Sequence, residues 1–269
     1  MNYFYHGLDT NEAWINQTWS QKPGGRLIVQ HVLFLGDYRW AAFNTAFWSL
    51  VYEMRISLIF PFLAIAVMRF PAKWMLGFAI ASSLLSFHFY SVCSLLHVNP
   101  PTDQFAETFH YMSFFILGAI LAKNREFIKT QYSRLPIFFL ILFILLAIPL
   151  YYSLLPIPSF TNRVLPLRSI QDWGTAFGSL IIIAFALYAG PFKKFLNHGV
   201  INYLGRISYS LYLVHGTVLF CLIYILQGHL TLIFMPAYLI VVLCLAGIFH
   251  HLVEQPAMAL GHKLGRMLG

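Results

Sequence analysis

Glu53 and Arg55 stand in the segment Trp48-Ser49-Leu50-Val51-Tyr52-Glu53-Met54-Arg55-Ile56-Ser57, which opens a long apolar run. Ionisable side chains inside a membrane span are costly and rare, so a carboxylate and a guanidinium there mark a candidate functional site. Two residues apart on a helix, they do not face each other, and each needs its own partner on another helix or in a polar cavity. The alternative for Arg55 is snorkelling, since it lies about 10 Å along the helix from Trp48. Glu53 is shorter and less able to do so.

Ser208, Tyr212 and His215 recur at spacings of four and three residues and are expected to share one helix face. An imidazole near mid-bilayer can move a proton or hold a substrate hydroxyl, because its ordinary pKa is near neutrality. The alternative is a neutral histidine that hydrogen-bonds a neighbouring helix as packing glue. Tyr209 reads as packing or interfacial belt.

His250-His251-Leu252-Val253-Glu254-Gln255-Pro256 forms a third polar group. His250 and Glu254 are four apart and can face one another. Pro256 is expected to end the last helix. Adjacent histidines point in different directions, so the reading is a Glu254 that ties the helix end to neighbouring loops, with no metal. Gly118 and Ala122, four apart, form a small-residue face expected to let helices approach closely. No Walker loop, dinucleotide fingerprint or nucleophile elbow occurs.

The elements that must position these groups are membrane helices. The chain is 59% hydrophobic and 10% charged, against about 25% charged in a soluble domain. Seven apolar runs are long enough to span hydrocarbon: Trp48–Met68, Trp74–Leu96, Phe105–Ala122, Leu135–Leu155, Trp173–Ala189, Ile207–Leu226 and Leu230–Leu252. The fold class is therefore all-α, a polytopic transmembrane helix bundle. The net charge of +8 sits in short loops, which excludes a nucleic-acid reading. Cys93, Cys221 and Cys244 fall within apolar runs and give neither a disulfide framework nor metal-ligand spacing.

Loop charge sets the orientation. Eleven basic residues fall on one side: Arg69, Lys73, Lys123, Arg125, Lys129, Arg134, Lys193, Lys194, Arg206, Lys263 and Arg266. Five fall on the other: Lys22, Arg26, Arg39, Arg163 and Arg168. The loop with Asp103 and Glu107 has none. The positive-inside rule puts the C-terminus in the cytoplasm and the N-terminus outside. Residues 1–43 then form a polar exterior leader, in which Leu27–Leu35 is a possible interfacial helix and Asn16-Gln17-Thr18 fits a glycosylation sequon. No signal peptide precedes the leader, so the expectation is either that an odd number of upstream spans is missing or that the chain inserts independently with its N-terminus outside. Residues 44–269 form the membrane domain.

Three segments occur together and in order: Trp48-Ser49-Leu50-x-x-Glu53, Phe115-x-x-Gly118-x-x-x-Ala122, and Gly205-x-x-Ser208-Tyr209-Ser210-Leu211-Tyr212-Leu213-x-His215 with Glu254-x-Pro256 beyond it. From about Leu27 onward the chain resembles the acyltransferase-3 family of integral membrane acyltransferases. Val51–Ser57 is similar to a bacterial branch whose members include enzymes that O-acylate surface polysaccharides. The resemblance implies roughly ten spans with the N-terminus inside, so the chain is expected to be a partial domain. A histidine on the family's first span and an early arginine pair have no counterpart here.

The resemblance implies transfer of an acyl group, acetyl foremost, from acyl-CoA to a hydroxyl of a carbohydrate or lipid-linked acceptor. It implies a location in the bacterial inner membrane. By motif position Glu53, Arg55 and His215 are the catalytic candidates. Trp48, Ser208, Tyr212 and Glu254 are the substrate-binding candidates. Lys193, Lys194 and Arg206 could meet CoA phosphates or only set topology. A seven-span receptor would show an extracellular disulfide or a lysine in the last span, and Leu230–Leu252 has no lysine. A transporter or flippase would show inverted repeats, and none is apparent.

Overall fold

The computed structural model describes residues 24–34, 44–95, 103–152, 167–225 and 234–268, and every element within them is helical. In chain order these are α1 (Gly25–Leu33), a 3-10 turn (Thr45–Phe47), α2 (Trp48–Arg69), α3 (Ala72–Leu95), α4 (Asp103–Lys123) and α5 (Arg125–Arg134). There follow α6 (Ile137–Tyr151), α7 (Leu167–Tyr188), α8 (Gly190–Leu196), α9 (Gly199–Ile225), α10 (Phe234–Phe249), a π turn (His250–Glu254) and α11 (Gln255–Leu268). The sequon at Asn16 and the basic residues Lys22, Arg39 and Arg163 lie outside the described residues.

Within the described residues each of the seven apolar runs contributes a helix, as it must where hydrocarbon offers the backbone no hydrogen bonds. Among the described residues five helical stretches are long and apolar enough to cross a membrane: Trp48–Arg69, Phe105–Lys123, Ile170–Tyr188, Gly199–Ile223 and Phe234–Met267. α6 is apolar throughout but shorter. The helices depart from the runs at their polar ends. α9 begins at Gly199, not at Ile207, and α4 takes in Asp103 and Glu107, which the charge pattern put in a loop.

The chain divides into two compact units, one of Tyr52–His198 and one of the residues up to Val51 with those from Gly199 onward. In the first, α3 packs on α4 through a face of small residues: Ala79, Ser82, Ser83 and Ser86 are buried. Ser82 donates to the Phe109 carbonyl at 2.7 Å. Tyr52, Ile56, Val67, Met75, Met112 and Ile116 fill the core beside it. α6 packs on α7 at Gly178, where a Cβ would lie 2.7 Å from the Tyr151 nitrogen and 2.8 Å from the Ala147 oxygen. Gly118, expected to serve as a close-packing residue, has nothing among the described residues within 4 Å of a built Cβ and lies exposed with Ala122. Serines on α3 supply the small surface against α4 instead.

One end of this unit gathers basic residues. Lys123 Nζ donates to the carbonyls of Val67 at 2.8 Å and Phe70 at 2.9 Å, closing the last turn of α2 with a cation where the helix dipole favours one. The Tyr188 hydroxyl donates to the Arg125 carbonyl at 2.8 Å, bringing the end of α7 to the same level.

In the second unit α9 packs on α10. Pro256 does not end the helix as expected. Proline lacks an N–H and its ring clashes with the carbonyl four residues back. The π turn absorbs this: the Gln255 N–H reaches the His250 carbonyl, five residues back, and the chain stays helical through Pro256 to Leu268.

Candidate active site

The second unit holds the start of α2 against the middle of α9. Asn44, 5% exposed, anchors the junction. Its side-chain oxygen accepts from the Ala46 N–H at 2.9 Å, nucleating the 3-10 turn that leads into α2. Its side-chain nitrogen donates to the Leu213 carbonyl on α9 at 2.7 Å. One turn away the Tyr212 hydroxyl donates to the Ala46 carbonyl at 2.5 Å and shares a 2.9 Å hydrogen bond with Ser49. Trp48 is the first residue of α2 and is exposed beside this joint.

His215 lies one turn beyond Tyr212, with ring centroids 5.6 Å apart. Its Nδ1 is 2.5 Å from the Tyr212 carbonyl. A carbonyl can only accept, so Nδ1 carries the proton, and in the neutral ring Nε2 keeps its lone pair. Among the described residues Nε2 has no hydrogen-bond partner. Tyr212 and His215 thus come together as their spacing predicts. Ser208 does not join them: it is exposed and donates to the Gly205 carbonyl of its own helix at 2.8 Å.

Ser210, fully buried, takes the inward position on α9 and donates to a Glu254 carboxylate oxygen. The same oxygen lies 2.9 Å from His250 Nδ1. Gln255 Nε2 is 3.3 Å from His250 Nε2, and its Oε1 is 3.2 Å from His251 Nδ1. A donating amide at Nε2 leaves Nδ1 as the protonated nitrogen, so His250 donates to Glu254. Glu254 ties the helix end not to neighbouring loops, as expected, but to α9 and its own π turn.

The unit of Tyr52–His198 holds the other expected groups. Arg55 does not snorkel: it is 8% exposed, donates to Thr108 Oγ1 at 3.0 Å and lays its guanidinium 4.3 Å from the Phe105 ring centroid. One turn earlier the Tyr52 hydroxyl donates to Glu107. Glu53 lies between them on α2 but is exposed, on a different face from Arg55, as a two-residue separation requires.

A further constellation was not anticipated from sequence. His110, 4% exposed, has Nδ1 2.8 Å from Ser83 Oγ on α3 and Nε2 3.2 Å from Asp172 on α7. Trp173 Nε1 donates to the same Ser83 oxygen at 3.0 Å. With that indole donor in place, the serine proton goes to Nδ1 and the Nε2 proton to the carboxylate. Phe87, Tyr111 and Phe114 surround the imidazole at centroid distances of 5.4, 5.3 and 4.9 Å. An ionisable residue within the third apolar run was signal enough to single out His110. Nothing local pointed to its partners, which are 27 and 62 residues away.

Among the described residues the helices are the only elements, several are of membrane length and polar side chains are buried at their contacts, which defines an integral membrane protein. Within that class, the sequence model of the acyltransferase-3 acyltransferase domain matches residues 22–251, most of the chain, and the protein belongs to that family. No curated protein matches it, and no solved structure does.

Proposed function

We propose that this membrane acyltransferase moves an acyl group, acetyl foremost, from acyl-CoA to a hydroxyl of a carbohydrate or lipid-linked acceptor, with His215 as general base. The observation that carries the role of His215 is the Tyr212 carbonyl on Nδ1, which fixes the tautomer and leaves Nε2 ready to accept a proton. Nε2 takes the hydroxyl proton as the acceptor oxygen attacks the thioester carbonyl. The C–S bond then breaks, and the departing CoA thiolate takes the proton back.

The other expected residues have supporting positions in this reading. Tyr212 holds the joint that presents His215, and Trp48 stands exposed at its rim. Glu254 fixes the far end of α10 to α9. Glu53 and Arg55 supply a carboxylate and a guanidinium near the start of α2, at the opposite end of that helix from Lys123. With basic ends in the cytoplasm, those groups lie on the acceptor side of an inner membrane.

The test uses membranes from cells that make the protein, supplied with labelled acetyl-CoA and a panel of sugar and lipid-linked acceptors. Acceptor-dependent labelling is expected, and His215→Ala is expected to remove most of it, since general base catalysis contributes about 10²–10⁴-fold. Undiminished labelling in a folded His215→Ala variant overturns the assignment of the base. No labelling of any acceptor by the unaltered protein counts against the reading as a whole.

A further inference from the structure

α11 is an amphipathic helix whose two faces have different chemistry. Leu260, Leu264 and Met267 recur at four and three residues and make one stripe, exposed at 58%, 50% and 73%. His262 and Arg266, four apart, lie on the opposite side, and Lys263 flanks the stripe where its stem can lie along apolar surface. Met258 alone breaks the division. α11 carries no acidic residue. Its described side chains from Pro256 to Met267 are all exposed, so the stripe is not covered by the described parts of the chain.

The position of α11 says what covers it. The sixteen residues of α10 and the five of the π turn together rise about 30 Å, one hydrocarbon thickness. α11 therefore begins at the membrane surface. If the whole stretch Phe234–Met267 stood upright, its last turns would hold an apolar stripe in water. The junction contains the two features at which helices bend, a π turn and a proline.

We infer that α11 lies along the membrane surface, with Leu260, Leu264 and Met267 seated below the headgroups and Lys263 and Arg266 on anionic lipid. The partner is an anionic bilayer. Buried apolar area and attraction to anionic headgroups both hold such a helix. Each basic residue near an anionic surface contributes about fivefold to the seated population.

The test uses the full chain with Cys93, Cys221 and Cys244 replaced and a single spin-labelled cysteine introduced as Leu264→Cys or His262→Cys. Each is reconstituted in phosphatidylcholine vesicles with and without phosphatidylglycerol. Relaxation by oxygen, which concentrates in lipid, is compared with relaxation by a water-soluble nickel chelate. The label at Leu264→Cys should favour oxygen and that at His262→Cys should favour the chelate. The contrast should grow with phosphatidylglycerol, and Lys263→Gln with Arg266→Gln should cancel that growth. Equal chelate access at both sites overturns the proposal, as does a contrast indifferent to phosphatidylglycerol. Protection of both sites, with spin–spin broadening between copies, would mean that a second copy of the chain covers the stripe, and also overturns it.

Discussion

His110 Nε2 stands 3.2 Å from the Asp172 carboxylate, joining α4 to α7 across 62 residues of sequence. The same imidazole holds Ser83 on α3 at 2.8 Å, so one side chain links three helices. Hydrogen bonds between membrane helices are worth about 0.6 kcal/mol on average and up to about 1.7. Asp172→Asn keeps an acceptor for Nε2–H and is expected to cost under about 1 kcal/mol. His110→Ala removes both bonds and leaves a gap among Phe87, Tyr111 and Phe114, for a loss of about 2–4 kcal/mol. Thermal unfolding in detergent checks the order. Equal losses would mean that the charge of Asp172, not its hydrogen bond, holds the site.

Glu53 and Arg55 should separate function from folding. Glu53 is exposed, so Glu53→Gln is expected to leave the unfolding temperature unchanged while lowering acyl transfer at least tenfold. Arg55 is buried on Thr108 and Phe105, and Arg55→Ala should lower both, with a stability loss of about 2–4 kcal/mol. Full transfer activity in Glu53→Gln would show that this carboxylate takes no part in transfer.

Two glycines give opposite forecasts. Gly178→Ala places a Cβ under 3 Å from backbone atoms of Tyr151 and Ala147, which cannot rotate away. α6 and α7 must then separate, at a cost of about 1–3 kcal/mol. Gly118→Ala meets nothing within 4 Å and should be neutral to slightly stabilising, because alanine is the better helix former. A Gly118→Ala variant less stable than Gly178→Ala would contradict the packing described for α4.

The basic end of the Tyr52–His198 unit predicts which side faces the cytoplasm. Glu126 is well exposed on α5, beside Arg125 and Lys129. In a chain without its native cysteines, Glu126→Cys should resist an impermeant maleimide in intact cells and react after permeabilisation. Reaction in intact cells would reverse the topology.

The helices were legible in the sequence because membrane burial writes a long, one-letter signal: Leu, Ile, Phe and Val over a full span. Their ends were not. Gly199–Leu204 is mixed in polarity, and Pro256 carries the ordinary mark of a stop, yet a π turn lets the chain continue. Arg55 was legible as a residue in need of partners because a guanidinium in an apolar run is conspicuous by type alone, though Thr108 and Phe105 were not legible as those partners. Tyr212 and His215 were legible because their partnership is local, one turn of one helix. Ser83 was not: a serine among Leu84, Leu85 and Ser86 looks like packing until His110 and Trp173 are brought to it from other helices. That Ser210 turns inward on α9 was hidden for the same reason, since its partner Glu254 lies 44 residues on.

The π turn also acts as a phase shifter. Successive residues of an α-helix are turned by about 100°, and on an unbroken helix Leu260 and Leu264 would fall in line with Val242 and Ala246, the buried seam of α10. A π turn holds one residue more than an α turn, so everything beyond His250–Glu254 is wound back by about that angle. The wider winding of that one turn thereby sets the distal stripe off the protein's own seam. The two apolar surfaces of one continuous helix can face two different environments, and winding the same residues into α turns would bring them back into line.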